Sequence, residues 1–185
     1  MDIRNYGSQS LHFRAHPVLD QILASWSGQP KDTAYMLIKK YGLPSEASAR
    51  RIIWYNNGPW KRTIVHLDTV PHHFPTPHLD YLEQTIDYRV PPERFDELAK
   101  FDGSLYPDRT SGEATAKCDQ EGANFMALNL MNDIVAHKLT AEQARQQATE
   151  IEKKFRLQGQ SSPYIERFLF PKQKQTADPD VSYFK

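Results

Sequence analysis

Apolar residues recur at helical spacing in two stretches near the start of the chain. The first runs from Pro17, which suits the first helical position, to Gly28, which suits the end of a helix. The second starts with an N-cap at Asp32 and stops at Gly42, just before Pro44. The pattern therefore predicts two amphipathic helices. Their buried faces are Val18, Leu19, Ile22, Leu23 and Trp26 in the first, and Ala34, Leu37, Ile38 and Tyr41 in the second.

After residue 50 the pattern changes to short runs of β-branched and aromatic residues. The first two runs flank Asn57-Gly58, and Asn-Gly between such runs is a strong hairpin signal. A later run alternates between apolar and polar positions, which predicts a strand with one solvent-exposed face. The strands are predicted at 51–55, 61–67, 82–90, 105–109 and 113–117, with a helical turn at 45–49 before them.

Three further helices complete the predicted elements. A short helix opens at Pro91-Pro92, and a long one starts at Asp119, which is a good N-cap. Thr140 and Gln143 form a capping box for the last helix. The helices group toward the ends of the chain, and the strands form two hairpins plus one strand. This order favours an α+β fold on an antiparallel sheet of about five strands.

The chain divides into an arm, a domain and a tail. Residues 1–15 are polar without a clean period and predict an N-terminal arm, whereas 16–157 carry all the predicted elements of a single domain. Residues 158–185 are polar and contain proline, yet they hold too many apolar side chains for a linker. We expect this tail to dock on the domain or on a partner. Its apolar residues are Tyr164, Ile165, Phe168, Leu169, Phe170, Tyr183 and Phe184.

Composition narrows the function classes. Lys and Arg total 23, as do Asp and Glu, so no basic surplus exists to neutralise a nucleic-acid backbone or an anionic membrane surface. We therefore expect neither general nucleic-acid binding nor membrane association. Cys118 is the single cysteine, which rules out an internal disulfide and fits a reducing compartment. The absence of a signal-peptide pattern adds to this, and we expect a cytoplasmic protein.

Residues 66–80, HLDTVPHHFPTPHLD, hold four of the seven histidines. In an extended chain, residues i and i+2 point to the same face, so each His-Leu-Asp copy presents a nitrogen and an oxygen side by side. Histidine and aspartate together suit a divalent transition metal such as zinc. The candidate metal ligands are His66, Asp68, His72, His73, His78 and Asp80.

The same stretch has a second interpretation, in which the prolines matter more than the histidines. Pro71, Pro75 and Pro77 favour an extended backbone and cannot donate hydrogen bonds to a sheet. Such a segment commonly packs as a strap over a sheet edge. The two His-Leu-Asp copies approach each other only if their strands are neighbours.

A second candidate site is WYNNGPW at the first predicted turn. Aromatic rings beside amides offer both stacking and hydrogen bonding to a planar ligand, a sugar or a peptide. The candidate ligand- or partner-binding residues are Trp54, Asn56, Asn57 and Trp60. In the alternative interpretation, one tryptophan lies in the core and the other caps the hairpin.

Cys118 stands just before the long helix predicted from Asp119. The positive end of a helix dipole lowers a thiol pKa and so favours a nucleophile. Asp119 and Glu121 oppose this effect, and the alternative is a small buried core residue.

One long stretch, KKYGLPSEASARRIIWYNNGPWKRTIVHLDTVPHHFP with FDGSLYPDRTSGEATAKCD further on, resembles a bacterial protein family of unknown function. Its shared pattern is KYGxP-x-EA…WYNNGPWKR, and it covers roughly residues 30–145. The resemblance implies a bacterial cytoplasmic domain without a named activity. The helix, Trp-bearing strand and hairpin also resemble the repeat of small bacterial assembly lipoproteins and β-lactamase-inhibitor-like domains, although this chain lacks their lipoprotein signal and cysteine.

These observations favour two functional hypotheses. The first is a non-enzymatic binding or protein-interaction domain, which contacts a protein partner or a second copy of itself through the C-terminal tail. The alternative is a metal-dependent hydrolase that uses the His/Asp cluster at 66–80. The sequence contains no catalytic or nucleotide-binding signature that would decide between them.

Overall fold

An antiparallel sheet of six strands forms the centre of the fold, with strand order β1-β2-β3-β4-β6-β5. The computed structural model describes residues 16–177 and 180–184, so the predicted arm at 1–15 lies outside the described residues. The strands are β1 Glu46–Ala47, β2 Arg51–Tyr55, β3 Arg62–His72, β4 His78–Asp87, β5 Leu105–Asp108 and β6 Glu113–Cys118. The predicted α+β class is confirmed, with six strands instead of five.

Two helices precede the strands in the chain, one lies between β4 and β5, and three follow β6. They are α1 Pro17–Ser25, α2 Gly28–Tyr41, α3 Phe95–Phe101 after a 3₁₀ turn at Pro92–Arg94, α4 Glu121–Val135, α5 Ala141–Gln158 and α6 Pro163–Glu166. The Thr140 and Gln143 capping box is present at the start of α5. Among residues 16–177 and 180–184, no helix combines the length and apolar composition that crossing a membrane requires.

The sixth strand, β1, replaces the helical turn predicted at 45–49. The backbone N–H of Ser45 donates to the carbonyl of Ile53 at 2.8 Å, and that of Ser48 donates to the carbonyl of Arg51 at 2.8 Å. These bonds to β2 satisfy the backbone groups that a helical turn would pair locally. The helical prediction was wrong here because the neighbouring strand decides the conformation of so short a segment.

The proline-rich stretch forms the end of a hairpin, since β3 continues through Pro71 to His72 and β4 begins at His78. Pairing of β3 with β2 extends only as far as His66, which lies opposite Arg51. Pro71 therefore lies on an edge segment, where its missing N–H costs no ladder bond. The strand predicted from residue 82 begins four residues earlier than expected and ends at Asp87.

The strand register places the helices on one face of the sheet. Ile52, Val65, Leu82 and Cys118 lie opposite one another on four successive strands, so their side chains share a face. Leu82 belongs to an apolar cluster with α1 and α2, and Ala116, two residues before Cys118, belongs to a second cluster with α3, α4 and α5. Both clusters thus pack on the same side. The other face carries the polar row Arg62, Glu83, Asp87, Glu113 and Lys117.

A half-buried carboxylate links the two clusters. Glu121 Oε2 accepts hydrogen bonds from Tyr41 Oη at 2.8 Å, Trp60 Nε1 at 2.8 Å and Gln84 Nε2 at 2.9 Å, and Oε1 pairs with Lys40. Burial alone would raise the pKa of Glu121, but the donors outweigh it and the pKa is lowered. The first turn of α4 is thereby fixed to α2, to the β2–β3 turn and to β4.

The C-terminal tail packs against the domain that precedes it. Asn129 Nδ2 donates to the carbonyls of Tyr164 at 3.0 Å and Arg167 at 2.8 Å, and Asn129 Oδ1 accepts from the Leu169 N–H at 2.8 Å. The tail residues that pack on the α4 side of the core are Tyr164, Ile165, Phe168 and Phe170.

Beyond Phe170 the tail crosses the β5–β6 turn. Gly112 has φ +62°, and a Cβ there would lie 2.1 Å from the Thr176 backbone, so glycine allows this close approach. Arg89 Nε donates to the carbonyl of Thr176 at 2.9 Å and its Nη2 donates to that of Gln175 at 3.2 Å. The tail is thus bonded by its backbone to the end of the sheet.

We expect Glu121→Gln to lower the free energy of unfolding at pH 7 by roughly 2–3 kcal/mol, because several buried donors lose their anionic acceptor. The lowered pKa means that the stabilisation is complete above 4.5, the usual value, and declines as pH falls through the folded-state pKa. The difference between wild type and variant in urea titrations should therefore shrink below about pH 4.5. Glu150→Gln, at the exposed pair with Lys153, is the matched control and should change stability little. An equal effect of both substitutions would contradict this role for Glu121.

Candidate functional site

Three of the six predicted metal ligands come together at the end of the β3–β4 hairpin. His72, His78 and Asp80 each offer one ligand atom, and these atoms lie within 4.8 Å of one another. His72 lies directly opposite His78, and Asp80 lies opposite Val70. Strand pairing between β3 and β4 therefore builds the cluster from both sides of the turn.

The other three predicted ligands point elsewhere. His66 Nε2 lies 3.0 Å from Glu83 Oε2, and Asp68 pairs with Arg50 on the surface, with Arg50 Nε donating to Oδ2 at 3.1 Å. His73 is exposed. The register of β3 and β4 shifts between Val65 and Val70, so the two His-Leu-Asp copies are not equivalent in the sheet. Only the second copy contributes to the cluster.

Asp80 lies close to both imidazole rings, through a different carboxylate oxygen for each. Nε2 of His78 lies 3.1 Å from Asp80 Oδ1, and Nδ1 of His72 lies 3.4 Å from Asp80 Oδ2. Tetrahedral zinc with nitrogen and oxygen ligands at about 2.0–2.2 Å would place neighbouring ligand atoms about 3.3–3.6 Å apart. Each ring nitrogen thus lies near that spacing from one oxygen of Asp80, and one ligand atom from each of the three residues falls within 4.8 Å of the others.

The hydrogen bonds of His78 fix which nitrogen is available. Its Nδ1 lies 2.7 Å from the carbonyl oxygen of Thr76, which can only accept, so Nδ1 carries a proton. In the neutral ring, Nε2 then presents a lone pair toward Asp80 Oδ1. A lone pair and a carboxylate oxygen repel unless a proton or a cation lies between them. Consistent with this, the Asp80 carboxylate raises the pKa of His78.

Two buried acceptor positions in the cluster lack hydrogen bonds. Among the described residues, neither Asp80 Oδ1 nor His72 Nδ1 has a partner with hydrogen-bond geometry. The Asp80 side chain is 2% exposed, so water does not compensate for the missing bond. Ser104 Oγ donates to the other carboxylate oxygen of Asp80. Asp80 is therefore held in place by Ser104, while Oδ1 faces His78 Nε2 at 3.1 Å.

A second layer of polar residues surrounds the cluster. Asp102 Oδ1 lies 3.7 Å from His72 Nε2 and accepts a hydrogen bond from the Ser104 N–H at 2.8 Å. Burial raises the pKa of Asp102. A carboxylate behind a ligand imidazole, and a backbone carbonyl behind another, are the groups that orient histidines in metal sites.

Cys118, at the end of β6, approaches the cluster from the adjoining strand. Its Sγ lies 3.2 Å from His78 Nε2 and 3.6 Å from Asp119 Oδ1. Burial, with Asp119 close by, raises the pKa of Cys118 well above its usual value. The thiol therefore stays protonated without a cation, which argues against the nucleophile considered from the sequence.

A small cavity adjoins the cluster, and its volume is about 20 Å³. Such a volume admits one water molecule or one ion, and an organic substrate would not fit. Apolar side chains line one side of it: Phe74 packs edge-on against Phe101 with ring centroids 6.1 Å apart. The Arg145 guanidinium lies 3.8 Å from the Phe74 ring centroid. The arrangement suits holding an ion better than processing a substrate.

The aromatic residues of WYNNGPW lie mainly in the core. Trp54 and Trp60 are 2% and 1% exposed, and Trp54 Nε1 donates to the Gly42 carbonyl at 3.0 Å. Buried Asn57 donates from Nδ2 to Thr63 Oγ1 at 3.0 Å, while Asn56 is exposed in the turn. The described geometry presents no indole face to solvent here, so ligand binding at this turn stays a prediction that the contacts do not favour.

The comparisons with known proteins add no functional information. No protein-family model matches this chain, and neither a curated protein nor a solved structure matches it. The resemblance to the KYGxP-x-EA…WYNNGPWKR family stays a prediction. Functional inference therefore rests on the geometry of the site.

We expect Asp80→Asn to leave the metal-free protein as stable as wild type, or to stabilise it by up to about 1 kcal/mol. Residues that serve a binding function often lower stability, so replacing them often raises it. The amide keeps an oxygen for Ser104 and removes negative charge beside His78 and Asp102. Urea unfolding in the presence of a chelator measures the change. Glu83→Gln is the matched control on the same strand; its carboxylate has His66 and Lys117 as partners, and its loss should destabilise. A loss above about 2 kcal/mol in Asp80→Asn would make Asp80 a structural residue.

Proposed function

We propose that this protein binds one transition metal ion through His72, His78 and Asp80. The observation that carries the proposal is the buried, unpartnered Asp80 Oδ1, which lies 3.1 Å from the ring nitrogen of His78. With a neutral His78 ring, Nε2 and this desolvated carboxylate oxygen face each other as two acceptors, which costs free energy. A bound metal ion removes that cost. The function proposed is therefore metal binding, in a cytoplasmic setting that the single cysteine favours.

Zinc is the metal that the donor set fits best. Two imidazole nitrogens and one carboxylate oxygen suit zinc, iron and manganese, and each ring nitrogen lies 3.1–3.4 Å from one oxygen of Asp80, near the ligand spacing of tetrahedral zinc. Octahedral ions such as Mg²⁺ prefer oxygen ligands alone. Because affinity for divalent ions rises along the series to copper, we expect zinc and cobalt(II) to bind more tightly than manganese.

The size of the cavity favours metal binding without hydrolysis of an organic substrate. A catalytic zinc keeps an open position that substrate can reach. Here the adjoining cavity of about 20 Å³ is lined by Phe74, Phe101 and Met126 among others, which leaves room for a single water. The small cavity weighs against the metal-dependent hydrolase hypothesis. It supports a bound ion that stabilises the fold, or whose binding reports how much metal is available.

We expect untagged wild-type protein to contain close to one equivalent of zinc and to melt at a higher temperature when zinc is added after chelation. Zinc at about 100 times its Kd would add about 2.7 kcal/mol of stability by mass action. His78→Ala should abolish the zinc-induced shift in differential scanning fluorimetry. His73→Ala is the matched control, because this neighbouring histidine is exposed and outside the cluster. Less than about a tenth of an equivalent of metal, with no zinc-induced shift, would refute the proposal.

A second candidate function is self-association or binding of a protein partner through the end of the tail. Val181, Tyr183 and Phe184 are 82%, 100% and 88% exposed, unlike the tail residues up to Phe170 that pack on the domain. Three exposed apolar side chains within four residues are an unusual surface for a monomer. This observation favours a contact between copies or with another protein.

We expect the full chain to show a concentration-dependent mass above that of the monomer in size-exclusion chromatography with light scattering. The double variant Tyr183→Ser, Phe184→Ser keeps the length of the tail and should return the mass to 21.4 kDa. Val18→Ser, an exposed apolar residue on α1, serves as the control and should leave association unchanged. A wild-type chain that stays monomeric at all concentrations would rule out self-association.

A further inference from the structure

We infer that Cys118 is the fourth ligand of the metal, which makes the site a closed set of two imidazoles, one carboxylate and one thiolate. The inference rests on the proposed metal binding at His72, His78 and Asp80 and assigns the remaining position. A closed four-ligand site is typical of structural zinc, whereas a catalytic zinc keeps a position for water.

The first observation is the shared cavity beside the cluster. Both ligand histidines and Cys118 line this cavity, and its volume of about 20 Å³ is enough for one ion or one water molecule. The cavity therefore brings His72, His78 and Cys118 to one space large enough for an ion. Asp80 lies against both rings, at 3.1 Å from His78 and 3.4 Å from His72.

The second observation is that Cys118 and the metal compete for one lone pair. His78 Nδ1 is committed to the Thr76 carbonyl, so Nε2 is its metal-binding nitrogen, and Cys118 Sγ lies 3.2 Å from that same atom. A metal on Nε2 removes the acceptor of the S–H group. The thiol is then left with Asp119 Oδ1 at 3.6 Å, a long contact with a second anion nearby.

Coordination resolves this competition. The S–H bond breaks, its proton leaves to solvent, and a sulfur lone pair forms the bond to the ion; no oxidation state changes. A coordinating thiol is deprotonated outright by a divalent cation. The three ligand atoms of His72, His78 and Asp80 lie within 4.8 Å of one another, and Cys118 Sγ is not part of that group. Coordination by Cys118 therefore requires a rotation of its side chain, or an ion that lies nearer to β6.

The fourth ligand would connect separate parts of the sheet. Cys118 is the last residue of β6 and lies opposite Leu82 on β4, whereas His72 and His78 flank the hairpin turn. A metal bound to all of them would tie the hairpin end to the β6–α4 connection. Asp102, 3.7 Å from His72 Nε2, is placed to orient that ring from behind.

Cobalt(II) titration of the untagged full chain tests the inference. Tetrahedral cobalt gives visible ligand-field bands, and a thiolate ligand adds a charge-transfer band in the near ultraviolet. Since the chain has one cysteine, that band reports Cys118 alone. We expect both sets of bands in wild type and in His73→Ala. In Cys118→Ser we expect the charge-transfer band to vanish and cobalt affinity to fall by at least about 10–100-fold, the loss typical of removing even an outer-shell partner of a ligand.

The outcomes separate the two proposals. Visible bands without a charge-transfer band would overturn the role of Cys118 and leave metal binding at His72, His78 and Asp80 intact. A wild-type chain that gives no bands at all would overturn both. If Cys118→Ser did not fold, the wild-type spectrum alone would still decide, because no other thiol is present.

Discussion

The fold depends on one half-buried anion, the carboxylate of Glu121 at the first position of α4. Four donors from separate elements converge on it: Lys40 and Tyr41 at the end of α2, Trp60 in the β2–β3 turn and Gln84 in β4. Because the donors belong to both apolar clusters, this carboxylate sets how the α2 half and the α4 half of the helical layer meet over the sheet. The start of a helix is also where a negative charge is favoured by the helix dipole.

A second carboxylate, Asp80 in β4, shows the opposite arrangement. Glu121 is surrounded by donors, whereas Asp80 receives one hydrogen bond from Ser104 and faces a histidine nitrogen and a second carboxylate, Asp102. The Glu121 side chain is 14% exposed and that of Asp80 is 2% exposed, so the more buried carboxylate has fewer donors. A surplus of acceptors at one buried point favours a proton or a cation that supplies the missing positive charge. The same chemical group thus stabilises the fold in one place and is the centre of the proposed metal site in another.

Local signals in the sequence were sufficient for most elements but not for the candidate site. The Asn57-Gly58 turn and the Thr140 capping box lie within a few residues of the structure they specify, and both were predicted. The register shift between Val65 and Val70 lies where pairing of β3 with β2 stops, at His66, and the local sequence pattern did not indicate it. It separates the two His-Leu-Asp copies, and it explains why three of the six predicted ligands form the cluster. Asp102 and Cys118 reach the cluster through tertiary packing alone, so only coordinates associate them with it.

The packing of the tail has a consequence for synthesis of the chain. Phe168 stands edge-on to Trp60 and to Phe125, with ring centroids 5.1 Å and 4.9 Å away, and so covers one side of the core. During translation Trp60 and Phe125 leave the ribosome well before Phe168, which leaves an uncovered aromatic surface on the nascent chain until Phe168 emerges. A chain released before that residue is made would present this surface to chaperones and proteases.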